Sequence, residues 1–257
     1  MNFVYEPITQ ENIQKYLVLL GRCFPRITYS TRYLEWLYFE NPNGSVIGFD
    51  AFHSRNLVAH YACIPIFVRG RKGLLSLNTA TAEDYRGNGL FSKLAKATFE
   101  KAEGDYEFIV GVANEHSTKG FIERLGFDYL GSLNLRIGPI GQQPMNSIDW
   151  CESSLNWRLS NPRRKYQIAK LNENKFLVST KILGNSLKIK AIVNLRLKED
   201  SKQKVAHGLT LDWSRFRKRS VSLPKALKPS PLNLICRSLN SNKLDIDHWD
   251  FLGFDVF

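Results

Sequence analysis

The stretch Arg86-Gly87-Asn88-Gly89-Leu90-Phe91 has the residue types of an anion cradle. A strand-like run, Leu74 to Thr81, leads into it. An amphipathic pattern, with Leu90, Leu94 and Ala97 on one helical face, leads out. Strand, glycine turn and helix together bring successive backbone N–H groups to a helix start, where they attract phosphate. Glycine supplies positive φ and lets a ligand approach the backbone closely. The dinucleotide fingerprint G-x-G-x-x-G is absent, and so is the P-loop G-x-x-x-x-G-K-[ST]. The anion therefore belongs to another class of ligand.

A second chemical stretch lies downstream. Glu107 to Ala113 reads as a buried strand, followed by Asn114-Glu115-His116-Ser117. Gly120 to Phe127 then reads as a short helix stopped by Leu125-Gly126-Phe127, with Gly126 suited to a left-handed C-cap.

In this order the two stretches resemble the cofactor site of the GNAT superfamily of acyl-CoA N-acyltransferases. Arg86 to Phe91 is similar to the family's R/Q-x-x-G-x-G/A pyrophosphate motif, with Phe91 standing where Gly or Ala is usual. Asn114, Ser117 and the Leu-Gly-Phe stop are similar to the second half of that site. The likeness covers roughly residues 1 to 137. It implies acetyl-CoA as cosubstrate, lying between two splayed strands. Thr79, Ala80 and Thr81 would meet the pantetheine arm through main-chain groups. Arg86, Gly87, Asn88, Gly89, Leu90 and Phe91 would hold the pyrophosphate. Asn114 and Ser117 would meet the far end of the arm. A backbone N–H of the first strand would polarise the thioester oxygen.

Two departures bear on proton transfer. Ile122 stands where many members carry a tyrosine acid, and Leu75 where some carry a glutamate base. The remaining candidates are His60, Glu83, His116 and Ser117, with His53, Asp84 and Tyr129 nearby. A histidine near its ordinary pKa can serve as a base. A water relay needs none of them.

The elements that must position these groups follow the order β-α-α-β-β-β-α-β-α-β up to Leu135. The expected class is α/β: a GNAT-like mixed central sheet flanked by helices, with a second sheet-containing half. Residues 1–137 form the expected acyl-CoA-binding domain, 138–154 a Gly- and Pro-bearing linker, and 155–257 an accessory half. A faint repeat links the halves. Tyr33-Leu34-Glu35-Trp36 before Asn41-Pro42 has a counterpart in Leu155-Asn156-Trp157 before Asn161-Pro162, and a hairpin pattern follows each. The second half lacks a glycine loop, so it is expected to be either a degenerate GNAT-like copy or an accessory half, without a cofactor in both cases. Its expected uses are completing the sheet, walling the acceptor cleft or forming a homodimer. Leu187 to Leu197, Val205 to Trp213 and Leu232 to Leu239 read as strands, Arg215 to Arg219 as a basic loop, and Trp249 to Phe254 as a core-packing segment.

Charge narrows the partner. Of the net +12, residues 1–140 carry +1 and residues 141–257 carry +11. That asymmetry favours an anionic partner. No nucleic-acid-binding motif or regular aromatic–basic alternation accompanies it, which argues against nucleic acid. Cys23, Cys63, Cys151 and Cys236 are far apart and have no metal-ligand spacing. They read as reduced thiols of a cytoplasmic protein. The first residues show no signal-peptide pattern, and the longest apolar run, Leu57 to Val68, is too short to span a bilayer. The expected acceptor is an anionic small-molecule amine, of which a nucleotide-linked amino sugar of bacterial surface-polysaccharide synthesis is the leading example. A peptide or protein amine is the alternative, and a non-catalytic binding module a third reading.

Overall fold

The computed structural model describes residues 1–139, 149, 151–163, 166–171, 174–183, 187–195, 207–213, 221–222, 232–240 and 251–252. The chain opens with β1 (Val4–Pro7), α1 (Ile13–Cys23) and α2 (Thr31–Tyr38). In α1, Ile13, Tyr16, Leu19 and Leu20 share one buried face, the stripe expected of a helix docked on a sheet. Ser30 caps α2 by accepting from the Tyr33 amide. Strands β2 (Ile47–His53) and β3 (Asn56–Val68) form a hairpin. Its turn residues Ser54 and Arg55 both have positive φ, which suits the twist of a tight hairpin.

β4 (Arg71–Thr81), α3 (Leu90–Ala102), β5 (Phe108–Ala113), α4 (Glu115–Leu125) and β6 (Asp128–Ser132) complete the first half. The order matches the sequence reading, with α4 starting five residues earlier than the expected Gly120 because Asn114 and Ser117 form a capping box. Gly126 ends α4 at φ 65°.

β7 (Asn134–Pro139), α5 (Glu152–Leu159), β8 (Tyr166–Leu171), β9 (Asn174–Leu183), β10 (Leu187–Leu195), β11 (His207–Trp213), β12 (Val221–Ser222), β13 (Asn233–Ser238) and β14 (Phe251–Leu252) follow. Helix α5 begins inside the segment read as a linker. Residues 140–148, 150 and 215–219, and most of 249–254, lie outside the described residues.

The main sheet has seven strands in the order β1-β2-β3-β4-β5-β13-β6. β4 and β5 are parallel, whereas β13 runs antiparallel to both β5 and β6. The sheet therefore takes its penultimate strand from Asn233–Ser238, well beyond residue 137. The other strands form a three-stranded sheet, β10-β9-β8, and a four-stranded sheet, β12-β7-β11-β14.

Two apolar clusters sandwich the main sheet. Leu75 and Val110 face α1 and α2, while their neighbours Leu74 and Ile109 face α3 and α4. Successive strand residues point to opposite faces, so both faces of β4 and β5 must be apolar. That explains the uninterrupted hydrophobic runs in the sequence.

Candidate active site

β4 and β5 part midway along their length. Their parallel register runs from Gly73 opposite Phe108 to Ser76 opposite Gly111, and stops there. Beyond it, Leu77 to Thr81 have no pairing with Val112 and Ala113. The other edge of β5 stays paired, since Asn233 lies opposite Ala113 and Leu234 opposite Val112. A bulge in β4 accompanies the split. On the β3 side the register passes from Ala62–Leu77 to His60–Ala80, and Asn78 adopts φ 51°. A bulge of this kind bends the strand and increases its twist. The result is a wedge whose edges carry backbone donors and acceptors without a ladder partner, suited to an extended polar chain.

The glycine loop closes one end of the β4 arm. A 3-10 turn, Glu83–Tyr85, leads to Arg86, and Gly87 and Gly89 have φ 82° and 73°. A β-carbon built on either would meet nothing within 4 Å, so the loop is an open surface. Gly89 is the N-cap of α3, and no side chain caps that helix. Its first-turn N–H groups thus remain available, as a phosphate cradle requires. Arg86 is exposed and makes a loose ion pair with Glu83 at 3.8 Å. Asn88 stays local, donating to the carbonyls of Tyr85 and Arg86 at 3.0 and 3.4 Å. Leu90 is buried. The Phe91 ring packs edge-on against Phe121, 5.0 Å between centroids, and over Gly120. The bulk at this position points into the core, away from the cradle. These groups fit a pyrophosphate, and an acyl-CoA held there would supply the thioester.

At the β5 end, Asn114 Oδ1 accepts from the Ser117 amide at 2.9 Å, and the Asn114 amide donates to Ser117 Oγ at 3.1 Å. Ser117 is thus occupied by its own helix start. His116 is exposed on the same turn. Thr118 donates to the Asn114 carbonyl and accepts from Asn233 of β13, which ties the late strand to this corner.

His60 sits on β3 behind the bulge, 1% exposed. It belongs to a continuous buried chain. Tyr29 donates to Asn78 Oδ1 at 3.2 Å, and Asn78 Nδ2 donates to the Tyr38 hydroxyl at 2.9 Å. The Tyr38 proton is then left for His60 Nε2 at 2.9 Å, and His60 Nδ1–H for Asp50 Oδ1 at 2.6 Å. Tyr16 donates to the other oxygen of Asp50 at 2.9 Å. Every proton points toward the fully buried Asp50 carboxylate, the arrangement that satisfies a charge out of water. Burial pushes the Tyr38 and Tyr16 hydroxyls up, the nearby Asp50 charge adding to it for both, and burial does the same for Tyr29. All three stay protonated and act as donors. His60 therefore reaches the wedge only through Tyr38 and Asn78. Glu83 is exposed in the loop, away from this chain.

Asn78, Tyr29 and Asp50 escaped the sequence reading. One signal was available for Asn78, since asparagine is enriched at positive φ among residues other than glycine. Cys23 is a further neighbour of the wedge, with Sγ 3.6 Å from the Thr81 carbonyl. Burial pushes its thiol up, which keeps it from acting as a nucleophile. Among the described residues no cluster could hold a metal ion.

The second half reaches the same face through α5. Trp36 and Trp157 stack 4.5 Å apart and 14° from parallel. Just past α5, Arg163 lies 4.5 Å from the Tyr33 ring centroid and 5.7 Å from that of Tyr29.

Comparison with known proteins agrees with this geometry. Residues 11–127 match the model of the acetyltransferase (GNAT) family. No curated protein matches the sequence. Among solved structures, a GCN5-related N-acetyltransferase from Anabaena variabilis superposes with a TM-score of 0.61 at 15% identity, covering 93% of this chain and 73% of that one. A conserved protein from Enterococcus faecalis, described as a probable N-acyltransferase, superposes with a TM-score of 0.66 at 11% identity and the same coverage. At these identities the likenesses show the fold. Residues 11–127 thus match an acetyltransferase (GNAT) domain over the glycine loop and the parted strands, and the solved structures share its fold.

Proposed function

We propose that the protein transfers an acetyl group from acetyl-CoA to the amine of an anionic small molecule. The observation that carries this reading is the parting of β4 from β5 after Ser76 and Gly111, with the uncapped α3 N-terminus at the end of the β4 arm. Backbone groups of Thr79, Ala80 and Thr81 line one edge of the gap and would pair with the pantetheine arm. The loop from Arg86 to Phe91 would hold the pyrophosphate. A β4 N–H would stabilise the oxygen on which charge develops as the amine attacks. Position 122 is an isoleucine, which carries no transferable proton, so the leaving thiolate would draw its proton from water.

A nucleotide-linked amino sugar fits the chemistry best, in a step of bacterial surface-polysaccharide synthesis. It offers an amine, and negative charge for the basic second half. Thiol release from acetyl-CoA tests the reading with three acceptors: the nucleotide-linked amino sugar, the free amino sugar and acidic peptides. Preference for the linked sugar supports it. Activity on peptides alone replaces the substrate class, and acetyl-CoA binding without turnover makes the protein a binding module.

A further inference from the structure

Arg163 is, among the described residues, a cation close to the parted strands. Its guanidinium lies over the Tyr33 ring and beside that of Tyr29. Tyr29 in turn touches Asn78 at the bulge of β4, so the cation stands one tyrosine away from the parted strands. Its backbone is built rather than loose. Asn161, 7% exposed, accepts from the Arg163 amide at 2.9 Å and fixes the turn after α5. The tryptophan pair fixes α5 on α2. Stacking on tyrosine faces orients a guanidinium while leaving its N–H edge free to bind. Among the described residues, no carboxylate pairs with it.

We propose that Arg163, held over Tyr33 and Tyr29, is the anion-binding residue of the acceptor site and takes a phosphate or carboxylate of the acceptor. The second half then recognises substrate, although it has no glycine loop of its own. The planar fork of arginine matches the oxygens of phosphate and carboxylate in pairs. The proposal rests on the acyltransferase reading for its meaning, but binding alone can test it.

The probes are a nucleoside diphosphate and a dicarboxylate, added to the full chain saturated with CoA, which fills the pyrophosphate cradle, and read by thermal shift. Wild type is expected to respond to one of them, which identifies the anion. Arg163→Ala should weaken that response about ten- to a hundredfold in apparent Kd, the range for a lost charge-assisted contact. Arg163→Lys should restore part of it. The acetyl-CoA shift should stay unchanged in both variants, which shows that they fold and keep the cofactor loop. Where turnover is measured, Arg163→Ala should raise KM for an anionic acceptor and leave that for the uncharged amine alone. No response in wild type, or an equal response in wild type and Arg163→Ala, overturns the proposal. Failure of acyl transfer would show separately, as anion binding without thiol release.

Discussion

Trp36 and Trp157 exchange hydrogen bonds: the Trp36 indole donates to the Trp157 carbonyl at 2.7 Å, and the Trp157 indole donates to the Trp36 carbonyl at 2.8 Å. With the rings stacked between these bonds, α5 is locked to α2 across the boundary between the two halves. Each indole is satisfied by the other residue's backbone, so both donors can be withdrawn from water without penalty.

Truncation at this lock has a predictable cost. Trp157→Phe keeps the stack and loses one hydrogen bond, for about 1 kcal/mol. Trp157→Ala loses the stack as well and should cost about 3 kcal/mol, the lower range for a tryptophan because the ring is half-buried. Denaturant unfolding measures both. Equal costs would mean that the stack contributes nothing.

The buried pair of His60 and Asp50 should be fragile to removal of one partner. His60→Leu leaves Tyr16 as the remaining side-chain donor to the buried Asp50 carboxylate and should destabilise by about 3 kcal/mol. His60→Gln can accept from Tyr38 and donate to Asp50, and should cost clearly less. If the two variants prove equally stable, the proton arrangement derived for the chain is wrong.

Much of this was legible in the sequence, and the reasons are local. Arg86 to Gly89 announces its turn because only glycine takes φ near 73–82° without strain. Leu125-Gly126-Phe127 marks a helix stop for the same reason. Asn233–Ser238 as the strand between β5 and β6 was not legible. Pairing partners across such a separation leave no mark in spacing or periodicity. The chain from Tyr29 to Asp50 was hidden likewise, since its members come from the segment after α1 and from α2, β2, β3 and β4, and only the fold assembles them. His60 looked like a base because of its residue type alone. Its burial, which no short motif encodes, turns it toward Tyr38 and Asp50.

Cysteine reactivity should divide sharply. Hydrogen bonding with Ser153 and Ser154 brings the exposed Cys151 thiol down to about 7, whereas burial pushes Cys63 and Cys236 up to about 12. The thiolate is the reactive form, so alkylation of Cys151 should rise with pH through about 7 and level off above it. Iodoacetamide labelling followed by peptide mass spectrometry checks this. Labelling of Cys63 or Cys236 in the native protein at the same rate would contradict the burial described here.

Gly89 isolates the cofactor loop. A β-carbon there meets no protein atom, so Gly89→Val acts through the backbone, at about 1–2 kcal/mol for a left-handed position and more for a branched side chain. The variant should remain folded. Its thermal shift with acetyl-CoA should be lost, because the turn that presents the α3 amides is no longer held. An undiminished shift would place the pyrophosphate elsewhere.

Thiol release from acetyl-CoA, followed in wild type and Gly89→Val with and without a nucleotide-linked amino sugar, bears most directly on acyl transfer at the parted strands. Wild type should show amine-dependent release that saturates with acceptor, and the variant should show none. Release that ignores the amine, or that survives Gly89→Val unchanged, would contradict acyl transfer at that site.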